Sequence, residues 1–338
     1  MKLKILAGVL AVAPFLWFAW WFIAASAQEE AVERWLQDRR EQGWQAEVAE
    51  IDVRGFPNRL DTKLTEPTIA DTITGWSWEA SRLDLRQVAY DPTFLVVEWP
   101  PEQRFSVPGA RATLRSAEME ASLKVSSTTA FDLLRASFDL QNAAISADAG
   151  WTAAADRLTT HIRLAPDAGP DNAYEFRMDA LRIRPPEFLS RIADPTGTLP
   201  AHLEFAAAEG RIALDRPLNR YSLEGFSLSA SAISLRSASA EWGGLRLSTT
   251  GSAVVDAEGY AEGEFDVTAA NWREMLSTAV AAGAIGRGLA DTLEAGLGFV
   301  ARLGGDPNVL DVALTFRGGL ARIGPVPVGT APRMRPEI

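Results

Sequence analysis

Cysteine is absent from this 338-residue chain, and histidine occurs only at His161 and His202. Without thiols there is no thiol catalysis, no thiolate metal site and no covalently attached c-type haem, and an oxidising compartment carries no risk of disulfide mispairing. Neither histidine has a second histidine four residues away with a glutamate between, so the helical zinc arrangement is missing. His161 sits in an alternating stretch and His202 lies just beyond Pro200; both read as ordinary surface positions. No serine lies in a glycine-x-serine-x-glycine elbow, and no phosphate-cradling glycine-lysine-serine/threonine loop exists. The glycine-rich stretch Gly283 to Gly288 joins two predicted helices instead of following a strand, which makes it a hinge. Basic residues are also scarce. Lysine and arginine total 33 against 44 acidic residues, a net charge of −11. Setting aside Lys2 and Lys4, the remainder of the chain carries about −13 by the same count. That potential repels nucleic-acid phosphates and offers no polybasic patch to anionic lipid heads, so nucleic acid is excluded as a partner and any lipid contact must be mainly apolar.

Against these absences stands one long apolar run. Lys2 and Lys4 precede an uncharged stretch from Ile5 to Ala27. As a helix it would be about 34 Å long, enough to cross a hydrocarbon core of about 30 Å. Trp17, Trp20 and Trp21 crowd its far end, where indoles settle at the membrane–water boundary, and the lysines should stay in the cytoplasm. The expected layout is residues 1–4 cytoplasmic, 5–27 a transmembrane signal anchor in the inner membrane, and the bulk of the chain in the periplasm. The competing expectation is a signal peptide cleaved after Ala27, because Ala25-Ser26-Ala27 has the small-x-small form of a processing site.

Residues 28–43 have the pattern of a juxtamembrane helix, with Val32, Trp35 and Leu36 on one side and Gly43 at its end. From there to residue 329 the pattern is period-2 alternation broken by turn residues. Leu158, Thr160, Ile162 and Leu164 alternate with Thr159, His161 and Arg163; Phe265 and Val267 alternate with Glu264 and Asp266. The spacing predicts about ten to thirteen antiparallel strands in a mostly β domain: a large curved sheet of roll or open-barrel type. A proline-bounded segment at 185–200 is a possible subdivision. Two helices fall within 272–303, the first with Asn271 as its cap and Glu274 reaching back. The tail 330–338 is expected to be disordered. In Arg54-Gly55-Phe56-Pro57-Asn58-Arg59 the glycine and proline predict a sharp corner with Phe56 tucked into the core.

These segments, with Gly43-Trp44, Trp99-Pro100-Pro101-Glu102, Asn271-Trp272-Arg273-Glu274-Met275 and Leu314-Thr315-Phe316-Arg317-Gly318-Gly319, together resemble a proteobacterial family of unknown function, DUF2125, over nearly the whole chain. The resemblance supports the layout and brings no catalytic residues. A looser, architectural likeness is to AsmA-like envelope proteins, which pair an anchor with amphipathic strands around a greasy groove.

Carboxylates are the remaining chemical candidates. Glu262, Glu264 and Asp266 point to one side of a strand and could offer alternate oxygen ligands to calcium. They lack the tight loop such sites use, so a solvated strand face is expected. No cofactor, metal site or catalytic residue is assigned. Three functions remain open. The first is a non-catalytic anchored protein that binds or transfers lipid acyl chains along a concave apolar groove including Leu245, Leu247, Phe265, Val267, Leu314 and Phe316. The second is an adaptor that scaffolds envelope proteins. The third is an enzyme with an unrecognised carboxylate site.

Overall fold

A computed structural model describes residues 2–167, 172–224, 228–283 and 285–335, with side chains from residue 15 onward except at 223, 224 and 303. The described residues are mostly β, with twenty strands, paired antiparallel, and five helices. The chain divides into two compact units, residues 1–124 with 144–150, and residues 125–143 with 151–338. The 185–200 segment lies inside the second.

The first unit opens with α1, Lys2–Glu41, a single uninterrupted helix. It runs unbroken through the expected boundary at residue 27. Arg39 and Arg40 sit in its last turn, where cations complement the helix dipole, and Gly43 at φ +86° lets the chain leave. Trp21 is 5% exposed and Leu36 is buried, and Arg40 Nε donates to the Ala46 carbonyl at 2.6 Å. The stretch from Trp21 to Arg40 thus lies along the unit and does not project from it as a free stalk. Among the described residues no helix is long and apolar enough to cross a membrane. The side chains of residues 5–14, the first half of the expected span, lie outside those described.

The strands of this unit are β1 (Trp44–Glu47), β2 (Glu50–Arg54), β3 (Asp61–Thr65), β4 (Thr68–Asp71), β5 (Ser77–Ala80), β6 (Arg82–Val88), β7 (Asp91–Glu98), β8 (Glu102–Val107), β9 (Ala110–Arg115) and β10 (Glu118–Val125, whose last residue belongs to the second unit). The pairings β1–β4, β4–β5, β5–β8 and β8–β9 run on one side of a line of interruptions, and β2–β3, β3–β6, β6–β7 and β7–β10 on the other. In effect five long strands are each broken once. Pro67, Pro100 and Pro101 fall in the breaks, where they withdraw donors from the ladder, and Glu66 adopts φ +51°. Each break adds one strand, which accounts for part of the excess over the expected count. The Phe56 corner also differs from it. Phe56 is 48% exposed, because the ring packs on α1 and not into the sheet.

The second unit is an antiparallel meander in which each strand from β12 to β20 pairs with the next: β12 (Thr152–Leu164), β13 (Ala173–Ile183), β14 (Leu203–Leu214), β15 (Ala230–Trp242), β16 (Leu245–Val255), β17 (Ala261–Ala270), β18 (Val309–Arg317), β19 (Leu320–Ile323) and β20 (Val326–Thr330). No described pairing returns from β20 to β12, so the series stays open and does not close into a barrel. A longer β11 (Leu133–Ala147) precedes it, its last residues pairing with β9 inside the first unit.

Helix α2 (Glu187–Ala193) and the short α3 (Arg220–Glu224) lie in the connections after β13 and β14. Helices α4 (Trp272–Ala281) and α5 (Arg287–Leu303) lie between β17 and β18. Asn271 precedes α4 but does not cap it through its side chain. It adopts the left-handed conformation that asparagine tolerates, and its amide donates to the Gly244 carbonyl at 2.6 Å instead. The tail differs as well. Residues 330–335 are ordered, because Ala331 and Met334 amides donate to Gly319 and Gly259 carbonyls and the Pro332 carbonyl accepts from Ala261. Residues 336–338 lie outside the described residues.

Candidate functional site

Residues directly opposite in an antiparallel pair share a face, and alternate residues along a strand do too. The register therefore assigns the paired strand residues of the second unit to one of two faces. Leu247 stands opposite Ala240 and Ala269, and Leu245 opposite Trp242. Phe265 and Val267 stand opposite Gly251 and Thr249 on one side and Leu314 and Val312 on the other, while Phe316 faces Gly263. Leu245, Leu247, Phe265, Val267, Leu314 and Phe316 consequently lie on a single face. Pairings toward β12 extend it through Ala206 and Ala180 to Leu158, and through Gly210 and Phe176 to Ile162. From Leu158 to Phe316 these rows contain no acidic or basic side chain. At about 4.8 Å per strand, seven strands span roughly 29 Å.

One row explains how the face is shaped. It reads Phe176, Gly210, Leu235, Gly251, Phe265, Leu314 across six strands. A Cβ on Gly210 would lie 2.2 Å from the Ser234 carbonyl, and one on Gly251 would lie 2.3 Å from the Glu264 carbonyl. Neighbouring backbone comes too close for any side chain, and Gly251 also adopts φ +152°. The Phe176 and Phe265 rings lie beside these glycines, a device that restores apolar cover where a strand kinks. Strand β15 carries a bulge between Leu235 and Ala238. The extra residue sends Arg236 to the opposite face, where it pairs with Glu209, and returns Leu235 to the apolar one.

Cover over this face is partial. Trp272 and Ala301, with Leu297 beside them, bury Ala269 and Leu310 at the β17–β18 end. Met334 of the ordered tail packs with Phe265, Ala253 and Ala261. Over β13–β16 the face is open. Met178 is 45% and Leu247 is 43% exposed, and the alanines between them, Ala180, Ala206, Ala208, Ala238 and Ala240, are half-buried.

The opposite face is charged. Arg163 pairs with Glu175, and Arg177 with Asp179 and Glu209, across or along strands. Hydrogen bonds from Arg211, at 2.9 and 3.0 Å, hold the Asp167 carboxyl below the usual carboxylate range. An open concavity of about 840 Å³ lies on this side, bordered by Arg211, Ser252, Glu262, Glu264, Arg317 and Arg322. Of the six expected groove residues only Phe316 borders it, with Ile233, Ala253 and Gly263 of the same row. Glu262, Glu264 and Asp266 are exposed, and the first two border the concavity. Among the described residues no group of three or more histidine and acidic side chains could hold a metal ion. His161 is exposed on the charged face.

Sequence reasoning did not single out Met178, the alanines of β14 and β15, or the paired glycines. Small residues on alternating strands were visible as composition, but their stacking into one strip depends on register. Tyr174 was also missed. It is fully buried, and burial pushes its hydroxyl up while the Leu218 amide donates to it at 3.0 Å.

No curated protein and no solved structure matches the chain. The model of the family described as "Uncharacterized protein conserved in bacteria (DUF2125)" matches residues 21–332, and the chain belongs to that family.

Proposed function

We propose that this is a single-pass inner-membrane protein whose bulk lies in the periplasm and whose second unit holds lipid acyl chains, without catalysing a reaction on them. The observation that carries the reading is the uncharged face running from Leu158 to Phe316, left open over β13–β16 at Met178 and Leu247. Water against such a strip is costly at about 25 cal/mol per Å² of apolar surface, and an acyl chain lying across the strands would relieve that cost. The alanines leave a shallow track between larger neighbours. The occupant would rest on an open strip, not in an enclosed tunnel. The anchor is the uncharged run Ile5 to Ala27 behind Lys2 and Lys4, oriented by the positive-inside rule.

Mass spectrometry of the full chain purified in mild detergent tests the reading. It predicts phospholipid retained in near-stoichiometric amount, and a protein that elutes free of lipid would overturn it. A second reading, an adaptor for envelope proteins, is favoured by Phe299 and Val300, which stand exposed on α5. Substituting both with serine should abolish complexes in that case and leave lipid content unchanged.

A further inference from the structure

The first unit carries its own apolar surface. Between Phe15 and Ile23 seven large apolar side chains of α1 stay exposed, while Trp21 and Ala25 turn inward against Leu60 and Ala89. The corner 55–60 is fastened to the same stretch of helix. Trp17 Nε1 donates to the Pro57 carbonyl at 2.9 Å and Trp21 Nε1 to the Arg59 carbonyl at 2.7 Å. The Phe56 ring meets Trp21 edge-on at 5.6 Å between centroids and remains half exposed. The Ala89 amide donates to the Asn58 carbonyl at 2.8 Å, which brings the next residue, Tyr90, beside the corner with its side chain 74% exposed.

This placement conflicts with an anchor that leaves the bilayer before the domain begins. Residues 5 to 16, the part of the run ahead of the docked stretch, reach only about 18 Å, short of the ~30 Å hydrocarbon core. For Lys4 to reach the far headgroups, the helix must stay in the membrane through Trp17 to Trp21. The corner and the Tyr90 turn then lie at membrane depth beside it.

Their chemistry suits that depth. The Trp17 and Trp21 indole N–H groups are satisfied by protein carbonyls and need no water. Arg54 and Arg59 flank the apolar tip, each paired to an aspartate, the first mostly and the second nearly half exposed, as long cations are at a headgroup boundary.

We infer that the corner 55–60 and Tyr90 form a second membrane contact, embedded at the headgroup–acyl boundary of the bilayer that α1 enters. The occupant is phospholipid, because the patch is continuous with an uncharged helical run. This rests on the anchor reading above.

The cysteine-free chain allows a direct test. Tyr90→Cys and Asn58→Cys, each exposed, would be labelled with an environment-sensitive fluorophore in the full chain. Ile73→Cys is the control, since Ile73 is exposed and its neighbour Thr72 bonds the Gly43 carbonyl at the other end of α1. The proteins are reconstituted into vesicles of phosphatidylethanolamine and phosphatidylglycerol. Expected are a blue shift at 58 and 90 with quenching by lipids spin-labelled on the acyl chain, and neither at 73. Flotation with water-like emission at 58 and 90 would overturn the contact alone and assign the patch to a protein partner. Failure to float with the vesicles would overturn the anchor reading, and the contact with it.

Discussion

Replacing Gly251 by alanine probes the construction of the apolar face at its tightest point. The added Cβ would lie 2.3 Å from the Glu264 carbonyl oxygen, 2.6 Å from the Phe265 Cα and 2.8 Å from the Phe265 ring. Two of these atoms are backbone and cannot swing away. Forcing one extra carbon into packed surroundings costs about 1–3 kcal/mol, and holding alanine at a φ of +152° adds roughly 1–3 kcal/mol. The sum, about 2–6 kcal/mol, corresponds to a fall in melting temperature of roughly 5–20 °C for a domain of this size. Gly296→Ala is the internal control. It sits in α5 with no atom within 4 Å of an added Cβ, so it should be neutral or stabilising by up to about 1 kcal/mol. Thermal unfolding followed by circular dichroism measures both. If Gly251→Ala melts with the parent protein, the close strand approach at β16–β17 is wrong, and with it the register that places six apolar residues on one face.

Other consequences are as specific. Leu293 is buried on α5, so Leu293→Ala should cost about 2–5 kcal/mol in chemical denaturation; a loss of only a few tenths would show that α5 lies free. Trp78→Phe removes the indole donor to Gln103 Oε1, a 3.0 Å bond between buried groups, and should cost about 1–3 kcal/mol by stranding the amide oxygen. Burial alone would raise the Asp194 carboxyl, but the Leu199 amide and the Thr196 hydroxyl, both at 2.7 Å, hold it below the usual range. With the folded value depressed, its contribution is fully present above about pH 4 and is lost as pH falls through the folded value. The pH dependence of stability below pH 4 should therefore flatten in Asp194→Asn, and an unchanged acid profile would refute that.

Much of the second unit was legible in sequence, because period 2 is a local property. Leu158 to Leu164 and Phe265 to Val267 alternate in the chain, and antiparallel pairing of successive hairpins puts like faces together without further information. The six groove residues share a face for that reason. What the sequence did not reveal depends on contacts between distant residues. The close strand approaches at Gly210 and Gly251 and the bulge at Arg236 act between strands and leave no mark in the local period. Asn271 has the right neighbours for a capping box, yet the Gly244 carbonyl claims its side chain. Phe56 has the pattern of a core residue, but α1, two strands earlier in the chain, supplies its partners. The tail was expected to be disordered, and it is held by the Gly259 and Gly319 carbonyls and by Met334 packing.

The central claim is that the open strip over β13–β16 holds acyl chains, and Leu247→Glu tests it most directly. Leu247 is 43% exposed, so a carboxylate there can remain hydrated in the empty protein, but an acyl chain across it would bury the charge at a large desolvation cost. Lipid content by mass spectrometry and melting temperature should be measured on the same preparation. The account predicts a folded variant with a melting temperature near that of the parent protein and its bound phospholipid lost. A folded variant that keeps its full complement of lipid would contradict it.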